Sequence, residues 1–265
     1  MDRKDQAPIL NFMEKGSGPA LVLIHGLMMS HKMFETVLPA FAEKHRVICP
    51  DLRGHGGSDS LGPPYTIPQL AKDVIELLDR VQVDRFDLLG YSNGGIVAEY
   101  IGATYPQRVR HLVLGCAYAY NRDSLREKIE AAVVPWIIRG IGMKRFSHFM
   151  FSRTPEIGPE LADRMAEIMA SNNKQLMLKA YHEGTFFDAR PILSKIEAPT
   201  LIIAGGKDDA VPMHHAKELI SGIKGAQAEI LPEGRHTLIW THPDYFVTST
   251  EAFLQIANVR QSKTT

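Results

Sequence analysis

The stretch that decides the fold is residues 86–101, which read FDLLGYSNGGIVAEYI. Its apolar start predicts a buried strand and its apolar end predicts a helix, so the segment Gly90–Gly94 must turn between the two. A nucleophile at such a turn is held in a strained backbone conformation, and the positions two before and two after it must carry almost no side chain. Gly90 and Gly94 meet that requirement. The pattern therefore predicts Ser92 as a catalytic nucleophile at the N-terminus of a helix.

Short apolar runs alternate with longer segments of helical period along most of the chain. This alternation is typical of a mostly parallel, doubly wound sheet with helices on both faces. One helix is predicted over 67–81, where apolar residues recur on one face and where Thr66 and Gln69 have the spacing of a capping box. The predicted strands are 21–24, 47–49, 86–89, 111–114, 201–204 and 228–231, with a weaker candidate, an antiparallel edge strand, near 9–14.

The segment 120–189 interrupts this alternation, because it has helical faces and no convincing strand. We predict that it forms a helical cap inserted into an α/β core of residues 1–119 and 190–265. Large apolar side chains of the cap either line a substrate pocket or pack the cap against the core. The side chains assigned to a pocket between cap and core are Met28, Tyr91, Trp136, Phe146, Met150 and Val211.

A neutral serine is a poor nucleophile, so Ser92 needs a histidine base and a carboxylate that orients the base. In this architecture the acid comes before the histidine in the chain. Asp208 lies in the loop after the predicted strand 201–204, at the sheet edge where open α/β sheets place their sites. His236 follows the last predicted strand in the same way. The sequence thus predicts a catalytic triad of Ser92, Asp208 and His236.

Other residues of the same types fit less well. Asp209 is the nearest rival acid, and its alternative role is that of a helix-capping or solvated aspartate. His242 is a weaker candidate base, because it lies farther from the last strand and just before a helix that Pro243 starts. His214 and His215 lie near the start of a predicted helix and receive no mechanistic role.

The oxyanion formed when a serine attacks a carbonyl must be met by two hydrogen-bond donors. We expect the backbone N–H of Asn93 to be one of them. The other should come from the loop after the predicted strand 21–24, where the backbone N–H of Leu27 is the predicted donor. His25 is expected to organise this loop by hydrogen bonding rather than to transfer protons.

Taken together, these motifs resemble the α/β-hydrolase superfamily over nearly the whole chain, in the subgroup of small esterases, enol-lactonases and cofactor-free haloperoxidases. The resemblance implies the α/β-hydrolase fold and hydrolysis of carboxylic esters or lactones through an acyl-enzyme, without a cofactor. The segments that carry it are His25–Gly26, Asp51–Ser58, the turn around Ser92, Gly205–Pro212, and His236 with Pro243.

Two positions depart from the family pattern. Arg235 stands before the histidine where glycine is usual, and Gly234 comes one place earlier. Asn93 stands where Met, Leu or Gln is common, so that a polar side chain could face the pocket. A serine nucleophile disfavours epoxide opening and halide displacement, which use aspartate. The alternatives left open are carbon–carbon bond hydrolysis of oxo-dienoates, peracid formation by a haloperoxidase-like enzyme, and a ligand receptor that keeps the triad.

Composition narrows the class of partner. The 265 residues, with 45% apolar and 23% charged, suit one globular α/β domain with an insertion. The 30 basic and 30 acidic residues balance, so no overall field draws the chain to nucleic acid or to an anionic membrane. A small-molecule substrate is expected, and the oligomeric state stays open between monomer and homodimer.

Cofactors and compartment are inferred from motifs and cysteines. No phosphate-binding loop, complete dinucleotide fingerprint or metalloprotease histidine pair occurs, so we expect neither a cofactor nor a metal. The two cysteines, Cys49 and Cys116, lie in apolar runs and are expected to be buried thiols. With a polar start and no apolar leader, cytoplasmic residence is the expectation.

Overall fold

The apolar runs form a single sheet of seven strands in the computed structural model, which describes residues 10–58 and 61–262. The strand order is β1-β3-β2-β4-β5-β6-β7, and every neighbouring pair is parallel except β1 with β3. The mostly parallel, doubly wound sheet predicted from the sequence is confirmed. The strands are β1 (Phe12–Lys15), β2 (Ala20–Ile24), β3 (Arg46–Pro50), β4 (Phe86–Tyr91), β5 (Val109–Gly115), β6 (Thr200–Gly205) and β7 (Gln227–Leu231).

Helices flank this sheet and fill the segment between β5 and β6. The short strand predicted near 9–14 is β1, an antiparallel edge strand, and Ile9 lies outside the described residues. The helices are α1 (Leu38–Ala42), α2 (Ile67–Arg80), α3 (Asn93–Thr104), α4 (Leu125–Phe151), α5 (Pro159–Ser171), α6 (Lys174–Phe186), α7 (Arg190–Leu193), α8 (Met213–Gly222), α9 (Leu238–Thr241) and α10 (Pro243–Ser262).

The core lies in two layers, one on each face of the sheet. Alternate side chains of a strand point to opposite faces. In β2, Val22 and Ile24 join one buried cluster, whereas Leu21 and Leu23 join the other. Burial on both faces explains why the central strands read as continuous apolar runs.

The register of the sheet decides where the site forms. β5 lies between β4 and β6, and β7 pairs with β6, so the carboxyl ends of β4, β6 and β7 open onto the same edge. Ser92 follows β4, Asp208 follows β6 and His236 follows β7. Side chains that are far apart in sequence therefore meet at the edge where open α/β sheets place their sites.

The helix predicted over 67–81 spans Ile67–Arg80, but its capping box is only half formed. The Thr66 hydroxyl accepts a hydrogen bond from the Gln69 backbone N–H. The Gln69 side chain donates instead to Asp73, one turn farther along the helix. Asp73 pairs with Arg53 in a salt bridge, and a carboxylate in such a pair is a strong acceptor for the amide. The capping-box prediction was therefore wrong for Gln69.

α4, α5 and α6 occupy the segment that the sequence assigned to a cap. α4 begins with a complete capping box formed by Ser124 and Glu127, and it bends at Gly142, whose φ is +77°. The apolar face that predicts this helix is largely exposed, with Leu125 at 74% of its full accessibility. The division into core and cap at the stated boundaries stays a prediction. No helix in the described ranges combines the length and the apolarity needed to cross a bilayer.

Candidate active site

Ser92 lies at the turn between β4 and α3 with φ +54° and ψ −125°. A positive φ in a residue with a side chain costs on the order of 1–3 kcal/mol and persists only where the surroundings hold it. Here the Ser92 N–H donates to the Gly115 carbonyl of β5 over 2.8 Å, which ties the turn to the neighbouring strand. The backbone thus has the strained geometry that the sequence pattern predicts.

Gly90 and Gly94, which flank the turn, are required because other backbone atoms pass close to both of them. A Cβ atom on Gly90 would lie 2.5 Å from the Gly94 carbonyl oxygen. A Cβ atom on Gly94 would lie 2.4 Å from the carbonyl oxygen of Ile24, at the end of β2. Real Cβ atoms are not found at such distances from backbone oxygens, so a side chain at either position would push the turn out of place.

The predicted nucleophile, base and acid form one chain of hydrogen bonds. His236 Nε2 lies 3.0 Å from Ser92 Oγ, and His236 Nδ1 lies 2.9 Å from Asp208 Oδ2. In the neutral tautomer that suits both contacts, Nδ1–H donates to the carboxylate and Nε2 accepts from the hydroxyl. The arrangement has the polarity needed to move a proton from the serine to the imidazole.

The loop after β6 orients the Asp208 carboxylate. Its Oδ1 accepts hydrogen bonds from the N–H groups of Ala210 at 3.0 Å and Val211 at 2.7 Å, which leaves Oδ2 for His236. Asp208 is buried, whereas Asp209 next to it is exposed. The structure therefore brings Asp208 to the base and leaves its nearest rival in solvent.

Charge and burial act in opposite directions on the imidazole of His236. Burial alone would lower the pKa of His236, but the negative charge of Asp208 and its hydrogen bond outweigh burial and raise the pKa above the ordinary value of 6.5. A raised pKa makes Nε2 a stronger base toward the serine proton. It also means that the neutral form needed for the attack is lost at a higher pH than for a free histidine.

Tyr91 lies behind the base rather than in a pocket, so its assignment to a substrate pocket was wrong. Its ring is buried, and its hydroxyl donates to the His236 carbonyl oxygen over 2.7 Å. The same hydroxyl accepts from the N–H of Ile239, over 3.3 Å. Successive strand residues point to opposite faces, so the position next to the nucleophile can face into the protein. Tyr91 holds the loop that carries His236.

The loop after β2 lies against the nucleophile. A Cβ atom on Gly26 would be 3.4 Å from Ser92 Cβ, so the backbone passes directly over the serine. Within the described ranges, the N–H groups of Leu27 and Asn93 have no intramolecular acceptor. Both donors are thus available at the positions that the sequence predicts for an oxyanion hole.

His25 is placed to hold this loop. Its Nε2 accepts from the Leu52 N–H over 3.0 Å, and its Nδ1 lies 2.8 Å from the Gly26 carbonyl oxygen, to which it can donate. Burial lowers the pKa of His25, so the ring is neutral and can make one contact as acceptor and the other as donor. This is the organising role expected from the sequence.

Asp51 organises the neighbouring loop, a role that sequence reasoning did not assign. One of its oxygens accepts from the backbone N–H and from Nδ1 of His31, and the other accepts from Asn11 and from the Gly57 N–H. Burial alone would raise the pKa of Asp51, but these hydrogen bonds outweigh burial and hold the pKa well below the ordinary range. The segment Asp51–Ser58 was visible only as a family motif.

The Asn93 side chain points toward α6. Its amide donates to the Tyr118 hydroxyl over 3.1 Å, and a Cβ atom on Gly184 of α6 would lie 2.0 Å from Asn93 Nδ2. The polar residue that departs from the family pattern therefore packs between the nucleophile turn and α6. Gly184 makes room for it.

The other residues assigned to the pocket are scattered. Trp136 is 72% exposed, stacks against Arg139 and does not pack on the core; Met150 is also exposed. Met28, Phe146 and Val211 are buried in the apolar clusters on the sheet faces. An open cavity of about 410 Å³ is lined by residues that include Tyr65, Arg139, Lys179 and His182, and none of the triad residues lines it. A substrate pocket lined by Met28, Phe146, Met150 and Val211 stays a prediction.

Two positions near His236 are Arg235, where the family usually has glycine, and His242, the weaker candidate for the base. Arg235 points its side chain to solvent, while the Gly234 carbonyl accepts from the Lys207 N–H over 2.9 Å and joins the base loop to the acid loop. The rival base His242 is exposed, and its Nδ1 contacts only the neighbouring Thr241 hydroxyl among the described residues.

Cys116, Asp208 and His236 lie close enough to be considered as metal ligands. Their chemistry does not suit a metal, however. Burial raises the pKa of the Cys116 thiol, which disfavours the thiolate that binds metals. Asp208 Oδ2 and His236 Nδ1 are already engaged with each other. These groups fit the triad rather than a metal centre.

Comparison with known proteins agrees with the fold. The family model described as the alpha/beta hydrolase fold matches residues 19–243. The 3-oxoadipate enol-lactonase 2 of Acinetobacter baylyi is 28% identical, with 94% of each chain covered. A pimeloyl-[acyl-carrier protein] methyl ester esterase of Neisseria meningitidis serogroup C is 26% identical, covering 88% of this chain and 92% of that protein.

Among solved structures, a bromoperoxidase from Bacillus anthracis superposes with a TM-score of 0.88 at 26% identity, covering 95% of this chain and 97% of that one. This structural likeness agrees with the family match, which covers most of the chain. The chain belongs to the alpha/beta hydrolase fold family. Its relatives support a hydrolase activity.

Proposed function

We propose that this protein is a serine hydrolase that cleaves carboxylic esters or lactones through an acyl-enzyme. One observation carries the proposal: His236 lies between Ser92 and Asp208, with its two ring nitrogens 3.0 Å from Oγ and 2.9 Å from Oδ2. A serine activated in this way attacks acyl groups, and the reaction needs no cofactor.

In the first half of the reaction, Ser92 Oγ bonds to the carbonyl carbon of the substrate while its proton passes to His236 Nε2. Asp208 stabilises the resulting imidazolium. The carbonyl oxygen becomes an oxyanion, which accepts hydrogen bonds from the N–H groups of Leu27 and Asn93. When the intermediate collapses, the bond to the leaving oxygen breaks and this oxygen takes the proton from His236.

In the second half, water replaces the leaving alcohol. His236 takes a proton from the water as its oxygen bonds to the acyl carbon, and the same oxyanion donors act again. Collapse breaks the bond to Ser92 Oγ, which recovers its proton from His236. A linear ester yields an acid and an alcohol, whereas a lactone yields one hydroxy or oxo acid, because its leaving oxygen stays attached.

The named activities of two relatives support this substrate class. One is an enol-lactonase and the other a methyl ester esterase, and each matches this chain over most of its length. Both names describe cleavage of a carboxylic ester bond. An identity of 26–28% supports the bond type.

Turnover of p-nitrophenyl acetate, p-nitrophenyl butyrate and a panel of lactones tests the proposal. We expect sustained multiple turnovers by the wild type and none above background by Ser92→Ala, with an unchanged circular dichroism spectrum. Ser171→Ala, which alters an exposed serine on α5, is the matched control and should keep full activity. A single slow burst from the wild type would instead indicate a ligand receptor, and activity retained by a folded Ser92→Ala would refute the nucleophile.

A second candidate is peracid formation, favoured by the structural likeness to the bromoperoxidase. In that reaction hydrogen peroxide takes the place of water: its oxygen bonds to the acyl carbon, the bond to Ser92 breaks and a peracid leaves. Halogenation by the peracid in a mixture of acetate, peroxide and bromide would support it. The rate relative to ester hydrolysis decides between the two candidates.

A further inference from the structure

Two histidines and a glutamate meet where the start of α4 contacts the start of α8. Glu127 Oε1 lies 3.1 Å from His214 Nε2 and 3.1 Å from His215 Nε2. The two imidazole rings are 4.0 Å apart between centroids. One possible ligand atom from each of the three side chains lies within 4.8 Å of the other two. None of these residues belongs to the site described above.

This combination of ligand types suits a borderline transition metal. Zinc binds imidazole nitrogen and carboxylate oxygen at about 2.0–2.2 Å, and two ligand atoms of a tetrahedral site at these lengths are about 3.3 Å apart. The two nitrogen–oxygen distances of 3.1 Å need only a small adjustment to reach that value. We propose that Glu127, His214 and His215 form a site for one zinc ion that links α4 to α8.

The glutamate is held in place before any ion binds. Its other oxygen, Oε2, accepts from the N–H groups of Asp123 at 2.7 Å and Ser124 at 3.0 Å, as part of the capping box of α4. Oε1 is therefore directed at the two histidines and is free of backbone donors among the described residues. A carboxylate fixed by its second oxygen is typical of a metal ligand with an ordered outer shell.

The histidines differ in a way that provides both rigidity and access. His215 is fully buried, so its ring is held in place beside Glu127. The side chain of His214 is 44% exposed and opens the cluster to solvent. Three protein ligands would leave one position of a tetrahedral zinc ion for a water molecule.

The outer shell of the cluster limits its affinity. His215 Nδ1 is buried and has no hydrogen-bond partner within residues 10–58 and 61–262. Metal-binding histidines usually donate this second N–H to an acceptor, and losing such a contact costs about 10–100-fold in affinity. We therefore expect reversible binding rather than a permanently loaded ion.

The cluster lies where a bound ion would connect the start of α4 to the loop that carries Asp208. α8 begins at Met213, shortly after Val211, whose N–H holds Asp208. Glu127 lies in the first turn of α4, at the start of the segment between β5 and β6. An ion bound by all three residues would join the start of α4 to the acid loop and resist their separation. Because such an ion binds only the folded chain, it would raise thermal stability.

Calorimetric titration of tag-free, chelator-treated protein with zinc chloride tests the site. We expect one zinc ion per chain and a higher melting temperature with zinc present. His214→Ala removes the most exposed ligand with little risk to folding, and it should weaken zinc binding by about tenfold or more. Glu127→Gln should also weaken binding, because a neutral amide is a poorer ligand than a carboxylate.

Two controls separate this cluster from other histidines. His182→Ala alters an exposed histidine of α6 beside Glu183 and should bind zinc like the wild type. His236→Ala removes the imidazole of the active site and should also keep zinc binding. Loss of binding in His236→Ala, binding by His214→Ala equal to that of the wild type, or no heat of zinc binding by the wild type would overturn the proposal.

Discussion

The hydroxyl of Tyr91 donates a hydrogen bond to the backbone carbonyl of His236 over 2.7 Å. This contact joins the residue before the nucleophile to the residue that carries the base, although they are 145 positions apart in the chain. The distance between Ser92 and His236 therefore depends on a buried contact behind them as well as on their own hydrogen bond.

Replacing Tyr91 by phenylalanine should disturb both stability and catalysis. Loss of a buried hydroxyl leaves the His236 carbonyl unpaired, which costs about 1–3 kcal/mol of unfolding free energy. If the base loop shifts by about 1 Å, kcat should fall by up to about 10²-fold. Urea denaturation and ester kinetics measure the two effects. Tyr245→Phe, which removes a weak contact to Glu229, is the control, and equal effects of both variants would contradict the role given to Tyr91.

Asp208→Asn should lower kcat far more than Asp209→Asn. An amide at 208 can still contact His236, but it cannot stabilise the imidazolium, and such a change in a triad costs about 10⁴-fold. Asp209 is exposed and touches neither triad partner, so its variant should keep most of the activity. Steady-state kinetics with one ester suffice for the comparison. Similar losses in the two variants would show that the acid is wrongly assigned.

The pH dependence of kcat/KM should report the raised pKa of His236. Attack needs the neutral imidazole, so activity should decline as the pH falls through a midpoint above 6.5. Asp208→Asn removes the main charge that raises this pKa and should move the midpoint to lower pH. Asp209 contributes in the same direction but less, so Asp209→Asn should give a smaller shift. A midpoint that is unchanged in Asp208→Asn would contradict this electrostatic account.

Gly94→Ala should destabilise the protein, because the added Cβ would lie 2.4 Å from the Ile24 carbonyl oxygen and the backbone cannot yield easily. Forced contacts in a packed interior typically cost about 1–3 kcal/mol. Gly140→Ala is the matched control, since its Cβ meets nothing within 4 Å and it lies within α4. Alanine there should raise stability by about 0.5–1 kcal/mol. In thermal melts, Gly94→Ala should lower the melting temperature and Gly140→Ala should raise it.

The strands, helices and turns of the fold could be predicted because the conformation of each element depends mainly on residues close to it in the chain. The strand, the glycine-flanked turn and the helix around Ser92 are contiguous, and their backbone conformation follows from residue types within a few positions. The alternation of apolar runs located most strands to within a few residues. The order of Ser92, Asp208 and His236 along the chain followed from the same patterns.

Side-chain direction could not be predicted in this way. The Gln69 amide turned to Asp73, one turn along the same helix, where a carboxylate that also pairs with Arg53 competes with the cap. Tyr91 turned behind His236, because packing brings the acceptor of its hydroxyl from 145 positions away in the chain. The same holds for Trp136, which the sequence assigned to a substrate pocket but which lies exposed beside Arg139.

The sequence by itself determined the sheet, the strained turn at Ser92 and the loops that follow β6 and β7, since these depend on apolar periodicity and on the conformational freedom of glycine. Only the tertiary structure decided which atoms meet. It set His236 between Ser92 and Asp208, and it brought His215 to Glu127 across 88 residues. Such contacts arise from the packing of helices on a sheet, and the chain carries no local signal of them.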